Sequence, residues 1–264
     1  MQLIFDIGAH RGEDTDFYLK KGFKVIAVEA NPSLAQDLRD KFAEAIRNGQ
    51  LVVVEAAIAA EDGTVDFFVN RRPDLSTIVP SWAERNLKLG AASTKVTVTA
   101  VSFATLLKRY GIPHYLKIDI EGADMFCVHA LETIHTRPKF VSVESNKTSW
   151  RALVSEFDVL ERLGYTRFKL VNQATIDTQR EPVPVLEGRV TNHQFRFGST
   201  GLFGADLPGT WLTKRQALRA YRMIFIKYKL FGDNTRGERI ARMFPAFINR
   251  LLLPAWYDTH AALP

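Results

Sequence analysis

Over the first 170 residues, short runs of apolar, often β-branched side chains alternate with stretches whose apolar positions recur every three or four residues. The runs read as strands and the stretches as amphipathic helices, and their alternation predicts a doubly wound α/β sheet with helices on both faces. Strands are expected at Leu3 to Ile7, Lys24 to Glu29, Leu51 to Ala56, Val65 to Val69, Lys95 to Val101, His114 to Asp119, Phe140 to Glu144 and Thr166 to Val171. Several are apolar throughout, as parallel strands buried on both sides must be. Helical spacing covers Glu13 to Lys21, Pro32 to Arg47, Ser102 to Tyr110, Ala123 to Ile134 and Thr148 to Leu163. Pro32 suits a first helical turn, and Gly111 and Gly164 sit where helices close. Glu61-Asp62-Gly63-Thr64 is a turn signal, expected to join the third and fourth strands as a hairpin.

Between about 172 and 210 the periodicity fails, and the stretch carries the run Phe197-Gly198-Ser199-Thr200-Gly201-Leu202-Phe203-Gly204. It is too long for a plain connection, so a closing loop or a hairpin over a site is expected. Beyond Trp211 two helical, basic and aromatic stretches follow, separated near Gly232. The expected organisation is one domain over 1–210 and a basic helical extension over 211–264.

Of the 264 residues 46% are hydrophobic and 24% charged, which excludes a disordered or fibrous chain. No uncharged apolar run reaches the ~18 residues of a spanning helix. The N-terminus enters a strand pattern at once, leaving no room for a secretory signal, so a cytoplasmic location is expected. The single Cys127 allows neither an internal disulfide nor a cysteine zinc site. Net charge is +6, yet residues 211–250 hold ten basic side chains against two acidic ones, a balance of +8 that leaves the remainder at −2. Only the tail therefore points to a polyanionic partner.

The most informative segment is Phe5-Asp6-Ile7-Gly8-Ala9-His10-Arg11-Gly12-Glu13, a strand entering a glycine turn and then a helix. Gly8 and Gly12 let backbone approach a ligand closely. Glu29 follows 17 residues after Gly12, at the end of the second strand, where an acid can accept both hydroxyl protons of a ribose. An adenosine cofactor is implied. A dinucleotide site needs a third glycine and a helix N-terminus free for pyrophosphate. Here His10 takes the middle place and Asp6 precedes the turn, a charge that repels phosphate and suits the ammonium of an amino acid. S-adenosylmethionine is favoured over NAD, and a phosphate-binding Walker loop is absent.

These residues, with Val28-Glu29-Ala30-Asn31-Pro32, Ala57-Ile58 before the Asp62-Gly63 turn, and above all Leu116-Lys117-Ile118-Asp119-Ile120-Glu121-Gly122-Ala123-Asp124, resemble the FkbM-type S-adenosylmethionine-dependent methyltransferases over roughly residues 3 to 165. The resemblance implies a seven-stranded methyltransferase (Rossmann-like) sheet and methyl transfer, usually to a hydroxyl of a sugar, a glycan or a secondary metabolite. It places Asp6, Gly8 and Gly12 against the methionine moiety, Glu29 against the ribose, and Ala57 with Ile58 against the adenine.

Methyl transfer from a sulfonium requires an aligned acceptor oxygen, exclusion of water and removal of a proton. Asp119, at a strand end, is the leading candidate base or orienting group. Glu121 shares its direction if the strand continues, or opens the next helix, where an acid is simply stabilising. Glu144 ends the adjacent strand, with Ser145 and Asn146 behind it. Asp119, Glu144 and Asn146 suit Mg²⁺ as oxygen ligands, loosely like the catechol O-methyltransferases, but hydrogen-bonding roles are favoured and no metal is assigned. His193 would be a base only if the Gly-rich run folds over the site, and His10 reads as a hydrogen-bonded turn residue. Ser76 and Thr77 lie in a polar loop near the expected acceptor.

The basic tail mixes Arg and Lys with Phe, Tyr, Ile and Leu, as helices lying on anionic membranes do. Residues 211–253 are thus candidates for peripheral contact with the inner face of a membrane and a lipid-linked acceptor, against a helical cap on the sheet or a homodimer contact. Nucleic acid is disfavoured, since no binding module is recognisable. The rival reading from another class is a non-catalytic scaffold recruited by this tail; among enzymes, N-methylation or a nicotinamide-dependent reduction are the alternatives.

Overall fold

In the computed structural model, residues 1–88, 90–146, 149–196, 198–231, 235, 243 and 255–264 are described. The chain begins with β1 (Leu3–Ile7), α1 (Glu13–Lys20), β2 (Lys24–Glu29), α2 (Pro32–Lys41), α3 (Ala43–Arg47), β3 (Leu51–Glu55), β4 (Ala57–Ala59) and β5 (Gly63–Asn70). It continues with α4 (Pro80–Lys88), β6 (Ser93–Ser102), α5 (Phe103–Tyr110), β7 (Tyr115–Ile118), α6 (Asp124–Ala130) and β8 (Phe140–Glu144). It ends with α7 (Trp150–Arg162), β9 (Arg167–Asn172), α8 (Lys214–Phe231) and β10 (Tyr257–Ala262).

Seven strands form one sheet in the order β3-β2-β1-β7-β8-β10-β9. All its pairings are parallel except the two made by β10, which runs antiparallel between β8 and β9. The apolar runs of β1, β2 and β7 are buried along nearly their whole length, as strands covered on both faces require. On one face Phe5, Ile26, Leu116 and Val141 meet Leu106 of α5, Val128 of α6, Leu153 and Phe157 of α7 and Tyr221 of α8. On the other, Ile4, Val25 and Tyr115 meet Phe17 and Tyr18 of α1, Leu38 of α2, and Phe195, Leu202, Phe203 and Leu207.

Those last four residues come from 173–210, which forms no strand among its described residues, so of the closing loop or hairpin expected there the described residues form no hairpin. Its apolar side chains do the work of a helix layer: Phe203 stacks on Tyr115 at 4.7 Å and meets Tyr18 edge-on at 5.2 Å. Buried Lys21 pins the segment through Glu181 (2.8 Å) and Asp206 (2.9 Å).

The expected hairpin at 61–64 is also corrected. β4 and β5 flank it but do not pair; both bond to β6, giving a separate three-stranded sheet in the order β4-β6-β5. The helix expected over 32–47 is two, because Phe42 leaves the helical region (φ −113°, ψ 26°). The strand β10 and the helix α4 were not anticipated. The stretch taken as a basic extension thus leaves the sheet as α8 and returns to its interior as β10; its second helical stretch lies outside the described residues.

Candidate active site

The carboxyl ends of β1, β2 and β7 open on a cavity of about 470 Å³. Its wall includes Gly8, Ala9 and His10 from the turn after β1, Glu29 from the end of β2, Ala57 and Ile58 of β4, Phe67 of β5, and Asp119, Ile120 and Glu121 after β7. Ser76 and Thr77 close one side and Gly198 another.

The turn is built by left-handed backbone at Gly8 (φ 80°), His10 (φ 49°) and Gly12 (φ 74°). The amides of Gly8 and Ala9 both donate to the Val28 carbonyl, at 2.9 and 3.0 Å. A Cβ on Gly8 would collide with the carbonyl oxygen of Asp119, so the missing side chain lets the ends of β1 and β7 cross. Gly12 acts elsewhere. A Cβ there would lie 2.5 Å from the Phe42 ring and 2.7 Å from Leu38, so this glycine seats α1 on α2 and does not line the cavity.

Asp6 also lies behind the wall. Fully buried, it accepts from Thr15 Oγ1 at 2.6 Å and pairs with Lys117 Nζ at 3.2 Å. Lys117 is its register partner on β7 and donates to the Gly8 carbonyl at 2.7 Å. Burial opposes the lysine's charge, but Asp6, Asp119 and Asp14 outweigh it and hold its pKa above the usual lysine value. Asp6, expected from the sequence to meet a cofactor ammonium, thus lies beneath the cavity wall with the Lys117 ammonium as its neighbouring cation.

A further acid on the cavity wall is Asp14, in the first turn of α1. It is 4% exposed, takes the Thr200 amide on both oxygens at 2.9 and 3.0 Å, and has its pKa raised chiefly by burial. Sequence reasoning missed Asp14 and Lys117. Among its described residues, the Gly-rich run reaches the site through Gly198, which lines the cavity, and Thr200, which bonds Asp14. Gly201 and Gly204 are packing positions, where a Cβ would stand 2.5 Å from Gln179 and from Glu187 respectively. His193 lies against Phe17 on α1 (ring centroids 5.1 Å), 3.9 Å from Asp16, and takes no part in the cavity.

Glu29 is 7% exposed. Its two oxygens accept the amides of Asn31 and His10, each at 2.8 Å. Burial raises its pKa, against the pull of these bonds. They fix the carboxylate at the cavity edge with lone pairs left to accept from vicinal hydroxyls. Leu34, Ala57, Ile58 and Phe67 supply apolar walls suited to a purine. The first turn of α1 carries Glu13, Asp14 and Asp16, so the positive end of that helix already faces acids and does not favour a pyrophosphate.

Strand β7 stops at Ile118 and α6 begins at Asp124, so Glu121 belongs to neither. It sits at φ 46°, a left-handed conformation sparsely populated by residues other than glycine and of the kind held at functional sites, and is followed by Gly122 at φ 90°. Thr77 Oγ1 donates to the Glu121 carbonyl at 2.8 Å, and Asp124 takes the amides of Ile120 and Gly122 at 3.2 and 3.3 Å. The helix-opening acid is therefore Asp124, and the Glu121 carboxylate lies with those of Asp119 and Glu144.

Glu144 lines a second cavity of about 310 Å³ instead, with Trp82, Arg85, Asp124, Asn146 and Glu156. Asp119 and Glu121 on the first cavity and Glu144 on the second each bring one carboxylate oxygen within 4.8 Å of the others. Burial, with the charges of Asp119 and Glu144, pushes Asp124 up to about 7. Burial, with Asp124 and Glu144, pushes Glu156 up to about 8. Arg85, on the wall of the same cavity, lies over the Trp82 ring at 4.3 Å.

A seven-stranded sheet in this order, antiparallel only at its next-to-edge strand and hollow at the carboxyl edge, is the Rossmann-like methyltransferase fold. The family described as "Methyltransferase FkbM domain" matches residues 6–167, and the chain belongs to that family; it is a methyltransferase. None of the curated proteins matches it. Among solved structures it is similar to a SAM-dependent methyltransferase from Archaeoglobus fulgidus, at 13% identity over 99% of this chain and 86% of that one, TM-score 0.40. It is also similar to precorrin-6y C5,15-methyltransferase from Geobacter metallireducens GS-15, at 15% identity over 65% of this chain and 66% of that one, TM-score 0.36. A third is a SAM-dependent methyltransferase from Thiobacillus denitrificans in complex with S-adenosyl-L-homocysteine, at 7% identity over 100% and 85%, TM-score 0.36.

Proposed function

We propose that the chain transfers a methyl group from S-adenosylmethionine to a hydroxyl of a sugar, glycan or secondary metabolite. The observation that carries this is the layout of the first cavity: a fixed carboxylate, Glu29, at one end and the pair Asp119 and Glu121 at the other, with apolar walls beside Glu29. When bound, the sulfonium supplies an electrophilic methyl. Glu29 accepts the ribose hydroxyls, and Ala57, Ile58 and Phe67 enclose the adenine. Gly8, with Lys117 holding its carbonyl, shapes the floor under the methionine part, and Asp14, a buried acid on the same wall, receives its ammonium.

The acceptor enters from the second cavity, over the turn at 119–124. Asp119 and Glu121 then stand where the acceptor hydroxyl meets the first cavity, so one of them takes its proton while both orient its oxygen. Asp119→Asn tests this. Affinity for S-adenosylmethionine should hold within about two-fold, and turnover of a hydroxyl acceptor should fall by roughly 10²–10⁴; full turnover would remove the proposed base.

A second reading is favoured by the same 4.8 Å cluster. Asp119, Glu121 and Glu144 offer the oxygen ligands that Mg²⁺ prefers, and a cation there would lower the hydroxyl's pKa directly. Chelation separates the two readings: activity lost with EDTA and restored by Mg²⁺ supports the cation, and activity indifferent to EDTA supports the carboxylates acting alone.

A further inference from the structure

We propose that the outward stripe of α8 docks the protein on an anionic lipid surface. The helix is 18 residues, roughly 27 Å at 1.5 Å per residue, and contains no Asp or Glu. Its inner side belongs to the core: Ala217 and Tyr221 are buried, and Leu218, Ile224 and Phe225 pack against them. The aromatic residues that suggested an interfacial helix in the sequence are thus largely spent on the sheet. What faces outward is a different set. Arg215, Arg219, Arg222, Ile226 and Lys229 recur at helical spacing along one exposed line, with Met223 and Leu230 beside it. Met223 is 65% exposed, Ile226 47% and Leu230 55%, so three large apolar side chains stand in water among four cations.

The helix is anchored so that this stripe is presented rather than loose. At its start Lys214 binds Asp158 and Glu161 of α7, each at 2.6 Å. Further along, Phe225 meets Trp150 at the opposite end of α7, edge-on at 5.3 Å. α8 therefore runs antiparallel to α7, and its apolar half emerges beside the carboxyl end of β8, on the side of the sheet that holds both cavities.

Charge complementarity selects the occupant. An anionic bilayer offers headgroups to the four cations and an acyl boundary to Met223, Ile226 and Leu230. A second copy related by a two-fold axis would set these cations against themselves. A nucleic acid would pair with the cations but leave the three apolar side chains without a partner. No helix among the described residues is long and apolar enough to cross a membrane, so α8 lies on the surface.

The test is co-sedimentation of the full chain with vesicles of phosphatidylcholine alone and of phosphatidylcholine mixed with phosphatidylglycerol. Binding is expected to the mixed vesicles only, and to weaken with salt. Arg215→Gln with Arg219→Gln should lower the partition coefficient about twenty-five-fold, at about five-fold per basic residue. Met223→Ser with Ile226→Ser, which keeps every charge, should also weaken it. Thermal unfolding and S-adenosylmethionine affinity should be unchanged in both pairs, which separates failure of docking from failure of the methyl-transfer reading. Sedimentation with neither vesicle, equal sedimentation with both, or substitutions that dissociate a dimer or abolish duplex DNA binding while leaving vesicle binding intact, would each overturn the proposal.

Discussion

At the scale of single residues, the site is a set of charges held in place by backbone. Glu29 illustrates how a ligand-binding role and a structural one share a side chain. Replacing it by Ala removes the ribose acceptor and also strands two amides, those of His10 and Asn31, at a cost of about 1–3 kcal/mol if they stay buried. Glu29→Gln is the cleaner probe, since one acceptor oxygen remains. We expect it to fold with Tm nearly unchanged and to bind S-adenosylmethionine at least ten-fold more weakly; unchanged affinity in a calorimetric titration would remove the ribose role. Spacing made Gly8, Glu29 and Asp119 legible in the sequence, because each sits at a strand end and strand ends converge at one edge of a parallel sheet. Asp6 and Gly12 were legible as motif members, but that they lie behind the wall was not, since a motif does not tell which side of a turn its residues face. Lys117 left a readable trace: a lysine inside a buried strand demands a buried acid, and Asp6 is its neighbour in register. Asp14 left none, because its partner, the Thr200 amide, is 186 positions away.

At the scale of elements, the parallel strands were legible because burial on both faces leaves an unbroken apolar run, and β10 was not because it breaks that rule. Tyr257-Asp258-Thr259-His260-Ala261-Ala262 is half polar, yet Thr259 and His260 are each 2% exposed. Thr259 is accommodated by a buried hydroxyl cluster, 2.8 Å from both Ser145 Oγ and Tyr221 Oη. Ser145 and Tyr221 also bond each other. This ties β8, β10 and α8 together by polar contacts that no hydrophobic pattern announces. Removing residues 255–264 should therefore not trim a tail but open the sheet, leaving β8 and β9 with unpaired edges. The truncated protein should lose its cooperative thermal transition or aggregate; a wild-type melting curve would show that β10 is dispensable. Phe203 marks a second place where packing, not periodicity, decides structure. Fully buried against Tyr115, Tyr18 and Phe23, it holds an irregular segment in the position of a helix layer. Phe203→Ala should destabilise by about 3–5 kcal/mol in denaturant titration; a loss below 1 kcal/mol would mean the segment is not part of the core.

At the scale of the whole molecule, charge is sorted into two regions: carboxyl groups crowd the carboxyl edge of the sheet while cations line α8. The crowding has a definite pH signature. Asp124, Glu156 and Asp258 all have pKa values raised, first by burial and then by neighbouring carboxylates. A raised carboxyl stabilises the fold in its protonated form, fully below its ordinary value, and this contribution is lost as pH rises through its folded value. With Asp124 near 7 and Glu156 near 8, Tm of the metal-free protein should fall between pH 5 and pH 9. Glu156→Gln should raise Tm at pH 9 and leave it nearly unchanged at pH 5; equal shifts at both would show that the acid is not buried in its neutral form. The fold and the first cavity follow from the order of strands, and the acidic second cavity from side chains brought together across β7, β8 and α7. The central claim, that the first cavity takes S-adenosylmethionine and not a dinucleotide, is tested most directly by calorimetric titration of the wild-type protein with S-adenosylmethionine, S-adenosylhomocysteine and NAD. Saturable binding of the first two at about 1:1, with none of NAD, is the predicted result. Binding of NAD, or of none of the three, would contradict the account.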